Sequence, residues 1–192
     1  NSCGSGMSPR KLTRSWPARK ARSRIVLVLG GAASGKSDYA LRIAGPHGPR
    51  AFVATGQGLD DEMAARIARH QATRSVDWET VEVPIEAETW FAANGSRYRV
   101  ILFDCVTLWL SNLLGAEETA PAIQARVEAL LMAMKRSGAR VVIVSNELGM
   151  GLVPSEPLAR AFRDLAGLVN QQIAAAADEG YLVVSGIPSR LK

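Results

Sequence analysis

Cysteine is scarce in this chain. There are two, Cys3 and Cys105, too few for a disulfide framework, so a reducing cytoplasm is the expected compartment. No run approaches the roughly 18 apolar residues of a membrane span, so none is expected. The N-terminal stretch lacks the apolar segment of a secretory signal. It also lacks acid: residues 1–24 hold seven basic side chains and no acidic one. Histidine is nearly absent, with His47 and His70 alone.

What is present begins with an uneven charge. The 192 residues carry 23 Lys and Arg against 18 Asp and Glu, a formal net charge of +5. With the seven basic residues of 1–24 set apart, the remaining 168 hold 16 basic and 18 acidic residues, a net of −2. A nucleic-acid footprint is a basic face on a folded domain. A cationic tail on a slightly acidic domain argues against that partner. Residues 1–24 are expected to form a flexible basic arm rather than the transit peptide that their Arg- and Ser-rich composition resembles. Residues 1–6, NSCGSG before Met7, read as a tag remnant. Residues 25–192 are long enough to bury one sizeable core and contain no internal linker or repeat.

From Ile25 onward strand-like and helix-like segments alternate. IVLVL (25–29) is a continuous apolar run suited to a strand buried on both faces. Further strands are expected at 51–55, 80–83, 99–104, 140–147 and 181–186, the last in the chain. Helices are expected at 37–44, 59–73, 106–114, 122–136 and 158–177. The final helix gathers Leu158, Phe162, Leu165, Val169 and Ile173 on one face. Strands alternating with helices imply a parallel sheet flanked by helices.

GGAASGKS (Gly30, Gly31, Ala32, Ala33, Ser34, Gly35, Lys36, Ser37) fits G-x-x-x-x-G-K-[ST], directly after a buried strand and opening a helix. Gly30 and Gly35 allow backbone conformations closed to other residues, so successive N–H groups can turn toward phosphate oxygens. Lys36 can reach the terminal phosphates, and the Ser37 hydroxyl can ligate Mg²⁺. The helix dipole favours the same anion. Asp104, at the carboxyl end of a buried strand, suits the second protein ligand of Mg²⁺, or else a helix cap. The fold expected is therefore α/β, a P-loop NTPase of the RecA-like type with a mostly parallel sheet.

Among the histidines, His47 in GPHGPR reads as a loop residue. His70, in RIARHQATR, continues the spacing of Met63 and Ile67 and on that ground alone reads as a half-buried helix residue. Arg66, Arg69 and Arg74 surround it, a costly set of like charges without an anion among them, and such neighbours lower an imidazole pKa. Glu147, at the end of the 140–147 strand, is either a turn residue before Gly149 and Gly151 or a group on the substrate side of the sheet edge. Trp78 and Trp109 read as packing residues.

Several segments together resemble one family. GGAASGKS, ATGQGLDDEMAARIARHQ, WETVE and above all NELGMGLVPSEPLARAFRDLAGLVNQ are similar to the bifunctional adenosylcobinamide kinase / adenosylcobinamide-phosphate guanylyltransferases of cobalamin assembly, over about Ile25 to Lys192. The resemblance implies that ATP or GTP phosphorylates adenosylcobinamide. It further implies that GTP then gives GMP, through a GMP-histidine at the position of His70, to adenosylcobinamide phosphate. It implies GTP contacts at the P-loop, at Thr55, Gly56 and Gln57, at Gln71, Ala72, Thr73 and Arg74, and at Glu82 and Asp104. It implies a homotrimer with sites between subunits. Relatives often carry Arg where Ala33 stands, and some carry Glu at the position of Asp104. Two other readings compete: a plain P-loop small-molecule kinase with a structural His70, and a nucleotide-gated or nucleic-acid-binding protein using the basic arm.

Overall fold

The computed structural model describes residues 24–56 and 77–192. Strand β1 (Arg24–Gly30) leads through the glycine-rich loop into helix α1 (Lys36–Ala44). Strands β2 (Arg50–Ala54) and β3 (Trp78–Glu82) precede helix α2 (Ala87–Asn94) and a 3₁₀ turn at Gly95–Arg97. Strand β4 (Val100–Asp104) is followed by helices α3 (Val106–Gly115) and α4 (Ala120–Ser137). Strand β5 (Arg140–Asn146), helix α5 (Pro157–Ala176) and strands β6 (Glu179–Val184) and β7 (Ile187–Arg190) complete the described elements.

These seven strands form one sheet in the order β3-β2-β4-β5-β1-β6-β7. Every neighbouring pair is parallel except β6 with β7. The uninterrupted apolar runs of the central strands follow from burial on both faces. In β1, Ile25 and Leu27 join the core beneath α3, α4 and α5, while Val26 and Val28 join the core beneath α1; all four are at most 1% exposed. Trp109 is fully buried and donates its indole N–H to Ile85 O at 2.7 Å, which bears out its reading as a packing residue. Trp78 lies under Arg50, whose guanidinium carbon is 4.8 Å from the ring centroid.

Helix ends follow local chemistry. Thr119 caps α4 by accepting from Ala122 N, with Pro121 in the first turn and Gly138 (φ 74°) closing the other end. Arg126 of α4 ties down the segment before it, pairing with Glu86 at 3.0 Å and with Glu88 and Glu118 at 2.7 Å. Burial raises the pKa of Glu88; Arg126 offsets part of that rise.

Three expectations need correction. Helix α2 lies within 84–98, where the sequence suggested no element, because it is only eight residues long and its apolar residues show little helical periodicity. YLVVSG does not end the sheet: β7 follows and pairs antiparallel with β6. Pro188 hides it in the sequence, a residue tolerated here because β7 is an edge strand. On α5, Leu165, Val169 and Ile173 are buried as expected, but Leu158 is 77% exposed. The expected helix over 59–73 lies outside the described residues.

Candidate functional site

The carboxyl ends of the parallel strands converge on one edge, where ligands of open α/β sheets gather. β1 ends at Gly30, paired in register with Asn146 of β5, and Asp104 of β4 stands opposite Val144. Across the sheet, Ala54 of β2 is in register with both Asp104 and Glu82. The fold therefore brings Gly30–Ser37, Thr55, Glu82 and Asp104 to a single edge. Glu82 is exposed there, and Asp104 is partly buried.

The loop is tightly made. An ideal Cβ on Gly30 would lie 2.4 Å from Ser34 Oγ and 2.7 Å from Val183 O, so only glycine fits. Gly35, at φ 85°, directly precedes α1 and takes the left-handed conformation that favours glycine. Ala33 also sits at positive φ, 53°. Gly31, Ala32 and Ala33 are exposed, whereas Ser34 is 8% and Lys36 7% exposed. Lys36 Nζ donates to Gly31 O at 3.0 Å, folding the cation back over the loop. Ser34 Oγ is buried without a hydrogen-bond partner. Ser37 is in the first turn of α1, which packs against β4 and β5.

Behind the edge runs a polar scaffold that sequence reasoning missed. Thr55 is fully buried; its hydroxyl donates to Cys105 O at 2.8 Å and accepts from Cys105 N at 2.9 Å. Its side chain is thus committed to the backbone after Asp104. Asn112 Nδ2 donates to Thr55 O at 2.8 Å and to Pro84 O at 3.0 Å, joining the ends of β2 and β3. Asn170 accepts from Ser145 Oγ at 2.7 Å and donates to Asn146 O at 3.1 Å; Asn146 in turn donates to Thr107 Oγ1 at 2.7 Å. The available signal was an amide at the inner side of an apolar helical run, Asn112 in VTLWLSNLL and Asn170 in LAGLVN, since a buried or half-buried amide needs partners.

Cys105 is buried, and burial pushes its thiol upward in pKa. The Asp104 carboxylate adds to the rise, while the Thr107 hydroxyl, Leu108 N–H and Lys36 charge offset part of it. Lys36 and Asp104 therefore both act electrostatically on the same buried point. Glu147 serves the turn: its own N–H donates to Gly30 O at 3.0 Å, and its Oε1 accepts from Gly149 N at 2.7 Å. That places it beside the first glycine of the loop. His47 is exposed between α1 and β2, as a loop residue should be. Gln57, His70, Gln71, Ala72, Thr73 and Arg74, with Arg66 and Arg69, lie outside the described residues. Among the described residues no group of three or more His, Cys, Asp or Glu could hold a metal ion alone.

Comparison with known proteins gives a consistent picture. The family model for cobinamide kinase / cobinamide phosphate guanyltransferase matches residues 26–191. The bifunctional adenosylcobalamin biosynthesis protein CobU of Escherichia coli (strain K12) is 44% identical over 180 residues, covering 88% of this chain and 99% of the relative. The bifunctional adenosylcobalamin biosynthesis protein CobP of Pseudomonas aeruginosa is 40% identical over 167 residues, covering 86% and 96%. Among solved structures, a KaiC-like protein from Pyrococcus horikoshii superposes with a TM-score of 0.50 at 11% identity, over 83% of this chain and 70% of that one. That likeness concerns the fold alone.

Proposed function

The chain belongs to the cobinamide kinase / cobinamide phosphate guanyltransferase family, and from that membership we propose that it runs two successive transfers in cobalamin biosynthesis. In the first, ATP or GTP phosphorylates the aminopropanol hydroxyl of adenosylcobinamide. In the second, a ring nitrogen of His70 attacks the α-phosphorus of GTP, forming a P–N bond as the bond to pyrophosphate breaks. A phosphate oxygen of adenosylcobinamide phosphate then attacks the same phosphorus. The imidazole leaves, taking up a proton, and adenosylcobinamide-GDP is formed. The observation that carries this reading is the 44% identity spanning 99% of a bifunctional relative, together with an intact P-loop at the sheet edge.

The roles of the residues follow from their places. The N–H groups of Gly31–Ser37 and the α1 dipole favour the triphosphate. Lys36 exchanges its bond to Gly31 O for a phosphate oxygen, a small swing of a side chain already over the loop. Gly56, Gln57, Glu82 and residues 71–74 are assigned to GTP, and Thr55 acts by holding the Cys105 backbone with its hydroxyl rather than by offering that hydroxyl to the nucleotide. Magnesium fits the donor set: such sites take one or two protein oxygens and complete their shell with phosphate and water, and Ser37 and Asp104 supply a hydroxyl and a carboxylate. When bound there, Mg²⁺ would offset charge on the phosphates as they transfer. We place the enzyme in the cytoplasm, as a homotrimer, with adenosylcobinamide, adenosylcobinamide phosphate and GTP or ATP as its partners.

The test is covalent labelling. The protein is incubated with Mg²⁺ and GTP carrying label at the α-phosphate, then denatured. Label that is acid-labile, base-stable and absent in His70→Ala is expected. Label persisting in His70→Ala would refute the histidine carrier by putting GMP on another side chain, and absence of label in the wild-type protein would leave a plain kinase. A γ-labelled nucleotide with adenosylcobinamide tests the first transfer separately.

A further inference from the structure

Asn170 fixes the height of α5 against the sheet. It donates to Asn146 O at the end of β5, and about 20 Å of helix precede it from Pro157. The first half of α5 therefore stands beyond the carboxyl edge, next to the turn that follows β5. Between that turn and the helix lies a cavity of about 380 Å³, lined by Gly149, Arg163, Asp164, Gly167, Leu168 and Gln171. Its rim at Gly149 is close to the P-loop. Glu147 N is 3.0 Å from Gly30 O, and two residues of chain add at most about 7 Å. Gly149 N is thus within about 10 Å of the first residue of the loop.

Gly167 is the telling residue. Glycine is the poorest helix former after proline, yet it stands midway along this 20-residue helix. Nothing lies within 4 Å of an ideal Cβ at that position, and its φ is not positive. Neither crowding nor backbone conformation calls for glycine here; its effect is to keep the cavity open. The surroundings are apolar to a degree that solvent does not favour. Of the nine large apolar side chains exposed among the described residues, five belong to this region: Met150, Leu152, Val153, Leu158 and Leu168. Met150, Leu152 and Val153 are 78%, 96% and 67% exposed. Their loop is fastened by Arg160, which donates to Pro154 O at 3.0 Å and also to Ser155 O. A concentration of exposed apolar groups marks a binding surface.

The position suits an acceptor rather than the nucleotide. On the β6 side the loop is closed off, because Gly186 N of the β6–β7 turn donates to Ser34 O at 2.8 Å. β5 lies between β1, which carries the P-loop, and β4, which carries Asp104. A group arriving from the turn after β5 comes in between the loop and Asp104. The GTP contacts assigned to Thr55, Gly56 and Glu82 follow or end β2 and β3, beyond β4, and none of them lines the cavity.

We propose that this cavity and the apolar loop beside it seat the corrin macrocycle of adenosylcobinamide, with one edge in the cavity and the aminopropanol arm directed to the P-loop. A corrin is a broad disc with apolar faces and a rim of carboxamides. Leu168 and the exposed loop residues match the faces. Arg163, Asp164 and Gln171 match the amides, which both donate and accept hydrogen bonds. The arm covers the short span from Gly149 to the loop and brings its hydroxyl to the terminal phosphate. The inference rests on reading the chain as a kinase of adenosylcobinamide.

The test fills the cavity from its own wall. Gly167→Leu adds a good helix former where the protein leaves room. In steady-state kinetics of the first transfer, KM for adenosylcobinamide should rise about tenfold or more, with KM for the nucleotide unchanged. GMP labelling without acceptor should stay within about twofold of wild type, and so should affinity for inorganic tripolyphosphate, which needs only the phosphate loop. An unchanged KM for adenosylcobinamide would overturn the proposal, as would equal losses in labelling or tripolyphosphate binding. A smaller assembly of Gly167→Leu in sedimentation would overturn it too, since the face would then join copies of this chain. If Gly167→Leu fails to fold, Leu168→Glu, at a half-exposed position, replaces it under the same criteria. A wild-type protein that takes GMP label yet neither binds nor phosphorylates adenosylcobinamide would instead remove the kinase reading, and this inference with it.

Discussion

Asn112 offers the sharpest test of how the site is held. Its amide nitrogen spends both protons on backbone carbonyls, Thr55 O at 2.8 Å and Pro84 O at 3.0 Å. Each bond contributes about 1 kcal/mol net, and each carbonyl left unpaired in a half-buried place adds to the loss. Asn112→Ala should therefore cost about 2–3 kcal/mol. Asn112→Asp should be worse by about 1 kcal/mol or more, since carboxylate oxygens would face two carbonyl oxygens instead of donating to them. Equilibrium urea unfolding reads both values, with an unchanged slope confirming that the unfolded state is the same. Thr55 and Pro84 stand on either side of residues 57–76 in the sequence, so the anchor also bears on the proposed histidine. The GMP-labelling rate should fall by about tenfold through lost positioning, while tripolyphosphate affinity holds. An Asn112→Ala protein within about 0.5 kcal/mol of wild type, or an Asp variant no worse than Ala, would refute the reasoning.

The glycine and carboxylate predictions are simpler. Gly30→Ala would drive a methyl to 2.4 Å from Ser34 Oγ and 2.7 Å from Val183 O. The serine can turn away but the backbone carbonyl cannot, so a cost of about 2–3 kcal/mol is expected, undiminished by adding Ser34→Ala. Denaturation of both variants checks it, and wild-type stability of the double variant would contradict it. Glu179 accepts from the Tyr181 hydroxyl at 2.7 Å and pairs with Arg24. Mainly through that Tyr181 bond, and against the opposing effect of burial, its pKa is lowered. A carboxyl lowered in the folded state stabilises the protein above its ordinary pKa, and that contribution is lost as pH falls through the folded value. Glu179→Gln should thus cost about 1–2 kcal/mol at neutral pH. The gap between the two proteins should shrink below pH 4, roughly the ordinary carboxyl range. Melting curves from pH 7 to about 3 measure it, and a gap that widens on acidification would reverse the sign argued here.

Much of the fold was legible because burial on both faces writes itself into composition. IVLVL, VILF and VVIV are apolar throughout, and each lies in a central strand. The P-loop was legible for a different reason: its spacing answers to phosphate geometry, and Gly30 and Gly35 are where the packing and the backbone demand glycine. Helix α2 and strand β7 were not legible. The first is brief and weakly amphipathic, and the second is an edge strand with a proline, so neither carries a strong periodic pattern. The scaffold of Thr55, Asn112, Asn146 and Asn170 escaped because hydrogen bonds between residues 24 to 57 apart leave no local trace. Glu147 was open between two readings, and the structure gives it the turn bond to Gly149 while setting it beside Gly30.

The sheet order also bears on how the protein is made. β1 comes early in the chain but lies between β5 and β6, with residue 25 paired to 141 and residue 26 to 179. A ribosome adding roughly 5–20 residues per second leaves that strand without its second neighbour for about 8–30 s. Through that interval IVLVL is an uncovered, uncharged β-forming segment, the kind that pairs with other nascent chains. The P-loop has no rigid base in the same period, since Val183 and Gly186 arrive with β6 and the turn after it. Nascent chains halted before residue 179 should therefore be insoluble and unable to hold triphosphate, and productive synthesis should depend on chaperones that shield the first strand until the last ones emerge.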